Sequence, residues 1–263
     1  MTAEQPVLTY VFAVRRSGGP EAETALGGLP GVGPPAPVRT LAAGPLTAVV
    51  QDVPATDYAE EALRQRLSDR AELERCARAH HEVITAAMAA APTVPLPLAT
   101  LYRGDERARE ALCERADSLL TALDRITGRV EWGVKVYALT GKTDTPVASP
   151  DAAAATGRAY LEQLRSRQRG REERQDAALR SAERVDTVAR SLAVAARRLR
   201  PHGSEVTGPH RTHVLNAAYL VDGGRERQLR AALASLRRDE TAVEIELSGP
   251  WAPYSFADGG TAP

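Results

Sequence analysis

Residues Val130–Leu139 read VEWGVKVYAL. Val130, Trp132, Val134 and Val136 fall at every second position, so in a strand they share one face. A helix precedes it. In Asp105–Thr127 the apolar residues Ala108, Leu112, Ala116, Leu119, Leu123 and Ile126 recur at spacings of four and three, and Gly128 stands where a helix closes. Thr93–Tyr102 (TVPLPLATLY) holds two prolines, which limit any strand there to a short or edge one. Before it a long helix is expected from about Asp57 to Ala90, with Leu63, Leu67, Leu73, Ala77, Ile84 and Met88 on its apolar face and Pro92 as its stop. Val7–Val14 is β-branched and aromatic, a good first strand. A Gly/Pro-rich loop follows from Ser17 to Pro37. Val38–Leu41 and Leu46–Val53 form a hairpin across the tight turn Ala42–Pro45. Strand, hairpin, helix, edge strand, helix, strand in one antiparallel sheet predicts a ferredoxin-like α+β domain over residues 1–141.

After this strand, Gly141–Pro150 is polar and rich in Thr and Pro, and 142–150 is the expected linker. A second α+β domain, 151–263, opens with a helix expected from about Pro150 to Arg200. Its middle, Arg165–Arg174 (RSRQRGREER), is strongly charged, and Gly170 marks a candidate break. Beyond it Ala178, Ala182, Val185, Ala189, Leu192, Ala196 and Leu199 make a four-three seam of mostly small residues, which lets a second helix come close. This seam is the candidate protein-binding face, with packing on the protein's own N-terminal domain as the competing reading. His213–Val221 reads as a strand, Gly223–Arg238 as a helix and Ala242–Leu247 as a strand. The tail Ser248–Phe256 (SGPWAPYSF) is aromatic and is expected to pack on the folded protein.

Composition narrows the function. The 263 residues carry 34 basic and 34 acidic side chains, which argues against a general nucleic-acid binder. All the basic residues except Lys135 and Lys142 are arginine, and alanine is abundant, as codon bias in a GC-rich genome would produce. Two cysteines, Cys76 and Cys113, are too few for a disulfide scaffold. No apolar run approaches the roughly 20 residues needed to span a bilayer, and no signal segment is visible, so a cytoplasmic protein is expected.

Catalytic signals are sparse. Cys76 and His80 are one helical turn apart, but His80 lies amid the apolar face and reads as a half-buried core histidine. His210-x-x-His213 lacks nearby co-ligands except Glu205. Gly27–Gly33 is glycine-rich but opens no helix, because Pro34 and Pro35 follow, so it is a loop. No metal, cofactor or catalytic residue is assigned. The arginines of Arg165–Arg174 are offset by Glu162, Glu172, Glu173, Asp176 and Glu183, as on a solvated helix.

Thr9–Phe12, Leu46–Val50, Arg78–His80 with Val83-Ile84, Val94–Thr100, Glu131–Tyr137, Gly157–Leu161, Asn216–Val221 and Leu247–Phe256, in this order, resemble segments of the GvpL/GvpF family of gas vesicle accessory proteins. The strings EWGVKVY and GPWAPYSF are the specific ones. His81 departs from the pattern, where a glutamate is more common, as does Pro97, where an arginine is common. The resemblance implies a minor structural or assembly protein, without catalysis or cofactor, that is required for gas vesicle formation. It also implies a ferredoxin-like N-terminal domain and a second α+β domain with prominent helices. Its implied partners are the major, very hydrophobic shell subunit and other accessory proteins, and its implied location is the cytoplasm, with the vesicles. Two other classes stand beside this one. A nucleic-acid-associated protein would use the Arg165–Arg174 helix and show salt-dependent binding. An enzyme would need a cleft between the domains lined by titratable groups.

Overall fold

The computed structural model describes residues 6–18, 26, 28–33, 36–139, 157–200 and 211–257. It is a mixed helix-and-strand protein that divides into two units, Met1–Val130 with Trp251–Pro263, and Glu131–Pro250. This division corrects the expected one. The strand before residue 141 belongs to the second unit, and the C-terminal aromatic residues belong to the first. The proposed linker, 142–150, lies outside the described residues.

The first unit is built on β1 (Val7–Arg16), whose apolar run is buried on both faces. β1 pairs antiparallel with β3 (Leu46–Pro54), and β3 with β2 (Arg39–Ala43). The β2–β3 turn needs Gly44, which adopts φ 60. On its other side β1 pairs with two short pieces of the proline-bearing segment, β4 (Val94–Pro95) and β5 (Leu101–Tyr102). The prolines leave little room for a longer ladder.

The helix expected over 57–90 is three: α1 (Ala55–Tyr58), α2 (Glu60–Ser68) and α3 (Arg70–Ala90). The chain is extended at Ala59 and Asp69, and the Asp69 carboxylate caps α3 by accepting from the Glu72 N–H at 2.9 Å. The second expected helix is likewise two, α4 (Asp105–Glu114) and α5 (Ala116–Ile126), interrupted at Arg115. Gly128 follows α5 at φ 72. Tyr10, Phe12, Val49, Val53, Tyr58, Val83 and Ile84 form the core of this unit.

β6 (Arg129–Leu139) is the expected strand, but it lies in the second sheet, whose order is β7-β8-β6-β9. The elements of that unit run β6, α6 (Gly157–Leu192), β7 (Ala195–Arg198), β8 (Arg211–Asp222), α7 (Glu226–Asp239) and β9 (Val243–Trp251). Among the described residues this unit thus runs strand–helix–strand–strand–helix–strand. The first sheet lacks β6, which pairs in the second.

α6 runs through Gly170 without a break and stops at Leu192, eight residues before the expected end at Arg200. No Gly or Pro marks the stop. The residues that follow hydrogen-bond to β8 instead: Val194 N–H to the Leu220 carbonyl at 2.8 Å, and Leu199 N–H to that of Asn216 at 2.8 Å. Pairing along β7–β8 outweighs the helix preference of alanine.

Candidate functional site

The seam residues do not form one surface. Ala178, Ala182, Val185 and Ala189 are buried, on a helix that packs against α7 and β8 of the same unit. Leu192 is half-buried at the helix end. Ala196 sits on β7 opposite Tyr219, and Leu199 is exposed beyond the strand. The seam is therefore core over its helical part and is interrupted after Leu192. A face already covered inside its own unit is not open to a partner. Arg165, Arg167, Arg169, Arg171 and Arg174 are all exposed on α6.

His80 is buried on α3. Its Nε2 lies 3.1 Å from the Leu96 carbonyl, which can only accept, so the proton sits on Nε2. Nδ1 then accepts from the Tyr10 hydroxyl at 2.9 Å, and that hydroxyl accepts from the Ala99 N–H at 2.9 Å. Burial pushes the His80 pKa down to about 4, so the ring is neutral near pH 7. The chain of bonds fastens α3 and the segment Leu96–Ala99 to β1. His81, one residue on, faces the returning tail. It is edge-on to Trp251, with ring centroids 5.7 Å apart, and its Nδ1 is 3.4 Å from the Tyr254 hydroxyl. Phe256 and Ala252 are buried, whereas Trp251 is 44% exposed.

Two further polar clusters escaped the sequence reading. Gln51, fully buried on β3, organises the glycine-rich loop. Its Oε1 accepts from Val32 N–H at 2.9 Å, and its Nε2 donates to the carbonyls of Gly33 at 2.8 Å and Ala36 at 2.7 Å. Gly31 is required there, since a Cβ would meet the Gln51 amide at 2.2 Å and φ is 59. Arg39 on β2 forks onto Asp105 at 2.8 and 3.0 Å and reaches Asp52 at 2.5 Å. That guanidinium, helped by the Thr9 hydroxyl, holds the Asp105 carboxyl below its ordinary pKa. Each cluster joins separate elements, and no local pattern announces the pairing.

Among the described residues no group of three or more His, Cys, Asp or Glu is gathered as a metal set, and no helix is long and apolar enough to cross a membrane. His202 and His210 lie outside the described residues, and His213 stacks on Tyr137 at 4.6 Å. A groove of the first unit, about 680 Å³, lies among β1, α1, α2 and β5. Leu8, Tyr58, Leu63 and Leu101 line it, and Val7, 56% exposed, stands at its rim.

The sequence matches the family described as "Gas vesicle synthesis protein GvpL/GvpF" over residues 8–258. It is 41% identical to gas vesicle protein L of Streptomyces sp. (strain CB03234) across 95% of this chain and 92% of that protein. With gas vesicle protein F of the same organism it shares 28% identity, covering 95% of this chain and 99% of that one. The crystal structure of GvpF from Anabaena sp. PCC7120 superimposes with a TM-score of 0.65 at 18% identity, covering 96% of both chains. GvpF from Microcystis aeruginosa gives 0.62 at 16% identity over 95% of this chain and 99% of that one, so the likeness to both structures is one of fold. With its specific strings in both halves and a match across nearly its whole length, the chain belongs to the GvpL/GvpF family of gas vesicle synthesis proteins.

Proposed function

We propose that this protein serves gas vesicle formation as a minor assembly component, acting by binding and without turnover or cofactor. Family membership across residues 8–258 carries the reading. Its expected partners are the hydrophobic shell subunit and other accessory proteins, and its expected place is the cytoplasm, with the vesicles. A shell subunit rich in apolar surface would aggregate before incorporation unless a partner covered that surface. The buried part of the α6 seam is a poor candidate for this task. The groove among Leu8, Leu63 and Leu101 is the better one, because it is apolar, open and rimmed by the exposed Val7.

Co-purification of the full chain with the major shell subunit tests this. The parent is expected to retain the shell subunit. Val7→Glu, at an exposed position, is expected to weaken retention while leaving the thermal midpoint within a few degrees of the parent's. Retention unchanged in Val7→Glu moves the contact to another surface. No affinity for any vesicle protein removes the functional reading.

A further inference from the structure

The second unit carries a groove of about 650 Å³ between α7 and β9, within the size range of peptide and small-molecule sites. One wall is a helical stripe. Arg227, Arg230, Ala234 and Arg237 are spaced by three, four and three residues, so they share a face, and all are exposed. Beside this stripe α7 buries Leu229 and Leu233, and Leu233 also lines the groove. The floor and far wall are apolar: Ile245, Leu247, Pro250 and Trp132. Among the described residues no carboxylate lines the groove. Glu244 and Glu246 alternate with the lining residues Ile245 and Leu247 and so stand on the other side of β9.

This contrasts with arginines elsewhere, many of which sit against carboxylates. Arg39 has Asp52 and Asp105, Arg64 has Glu60 and Glu61, and Arg184 has Glu240. Arg227 and Arg230 make no ion pair among the described residues. Arg237 is steadied by donating its Nε to the Ile245 carbonyl at 2.9 Å. A second observation comes from Trp132. Its ring is buried, and its indole N–H has no hydrogen-bond partner. The ring borders the groove beside Pro250 and Leu247, so its emission can report what binds there.

We propose that this groove binds an acidic peptide segment of a partner protein, with carboxylates on Arg227 and Arg230 and apolar side chains on Leu247 and Pro250. Arginine pairs carboxylates in fork geometry, and the apolar floor adds what a free anion could not use. Single-stranded nucleic acid fits less well, because Trp132 is buried and among the described residues no other aromatic ring lines the groove to stack bases. The site is separate from the groove of the first unit, and its test uses no vesicle protein.

The probe is a fluorescein-labelled peptide of Glu-Glu-Leu repeats, titrated by anisotropy into the full chain, with a Lys-Lys-Leu peptide as the reversed-charge control. In a Trp251→Phe background Trp132 is the sole tryptophan, and its emission is expected to shift on binding. Arg227→Gln and Arg230→Gln are each expected to weaken binding about tenfold, as loss of a charge-assisted bond implies. Arg165→Gln with Arg169→Gln, on the solvated part of α6, is expected to leave it unchanged. The proposal fails if the acidic peptide does not bind, if it binds the groove variants as tightly as the parent, or if a single-stranded DNA oligonucleotide binds the groove more tightly than the peptide.

Discussion

Each unit docks a helix onto its sheet through a buried tyrosine, and the two partners differ in charge. In the first, Tyr10 of β1 donates to the neutral His80 of α3 at 2.9 Å. In the second, Tyr219 of β8 donates to Asp186 of α6 at 2.5 Å, and Asp186 also takes bonds from Arg190 at 3.0 Å and Arg198 at 3.3 Å. Burial alone would push the Asp186 carboxyl up. The bonds from Tyr219, Arg190 and Arg198 outweigh it and hold the group below its ordinary value. Burial pushes the hydroxyls of both tyrosines up, keeping them protonated as donors. One lock is made by removing charge and the other by surrounding it, so acid should open them in turn.

The largest expected effect is at the charged lock. Asp186→Ala removes the acceptor from a buried hydroxyl and from two guanidiniums. We expect a loss of roughly 3–4 kcal/mol by urea unfolding, in the range for truncating one partner of a buried charged network. Both arginines keep solvent contact, with side chains 47% and 65% exposed, which holds the figure below the upper end of that range. Asp186→Asn should cost less, since an amide oxygen still accepts from Tyr219. Equal losses for the two variants would mean that the negative charge, and not the hydroxyl contact, fastens the helix.

The neutral lock should show in the pH dependence. His80 titrates at about 4 in the fold and near 6.5 when unfolded. As pH falls the unfolded chain takes up this proton first. The stability tied to His80 is whole above about pH 6.5 and is lost as pH drops to about 4, by about 3 kcal/mol at most. Asp186 works in a lower window. Its folded pKa lies below the ordinary carboxyl value, so its contribution begins to be lost only below about pH 4. Unfolding followed between pH 7 and pH 4 should weaken the first unit before the second. With single-tryptophan variants, Trp251 reports on the first unit and Trp132 on the second. His80→Gln should flatten the slope in that window. A slope equal to the parent's would assign the titration to another group.

These locks also mark where local sequence stops being informative. Alternation in VEWGVKVYAL fixes the faces of a strand, and Trp132, Val134 and Val136 are buried as that pattern requires. Alternation does not say which sheet the strand joins, and β6 joined the second. The period over 57–90 is continuous although the backbone breaks at Asp69. There a local sign existed in Asp69 with Glu72 three residues on, the spacing of a capping box. The α6 seam was legible from Ala178 to Ala189, where its residues are core. It failed after Leu192, because a strand of Ala-Ala-Arg-Arg forms only through its pairing with β8. Arg227, Arg230 and Arg237 could be counted at helical spacing, but the groove beneath them appears only once β9 is placed against α7. Gln51 gave no signal, since the carbonyls of Pro30, Gly33 and Ala36 that accept from its amide lie 15 to 21 residues away.

The smallest effect concerns the tail that covers His81, the polar neighbour of the neutral lock. Trp251 lies edge-on to His81, but almost half of the residue meets solvent, 44% by exposed area. Full burial of such a ring would give a truncation cost of about 3–5 kcal/mol. With roughly half the contact made, Trp251→Ala should cost about 1–2 kcal/mol, below both locks. Phe256→Ala provides the scale, because that ring is buried in the same tail and should cost more than Trp251→Ala. Denaturant midpoints of the two variants, measured at pH 7 where His80 is neutral, test the ordering. A Trp251→Ala midpoint equal to the parent's would leave the tail attached through Phe256 and Ala252 alone. A loss as large as that of Asp186→Ala would mean that Trp251 is more deeply packed than its exposure shows, and would place the tail among the main supports of the first unit.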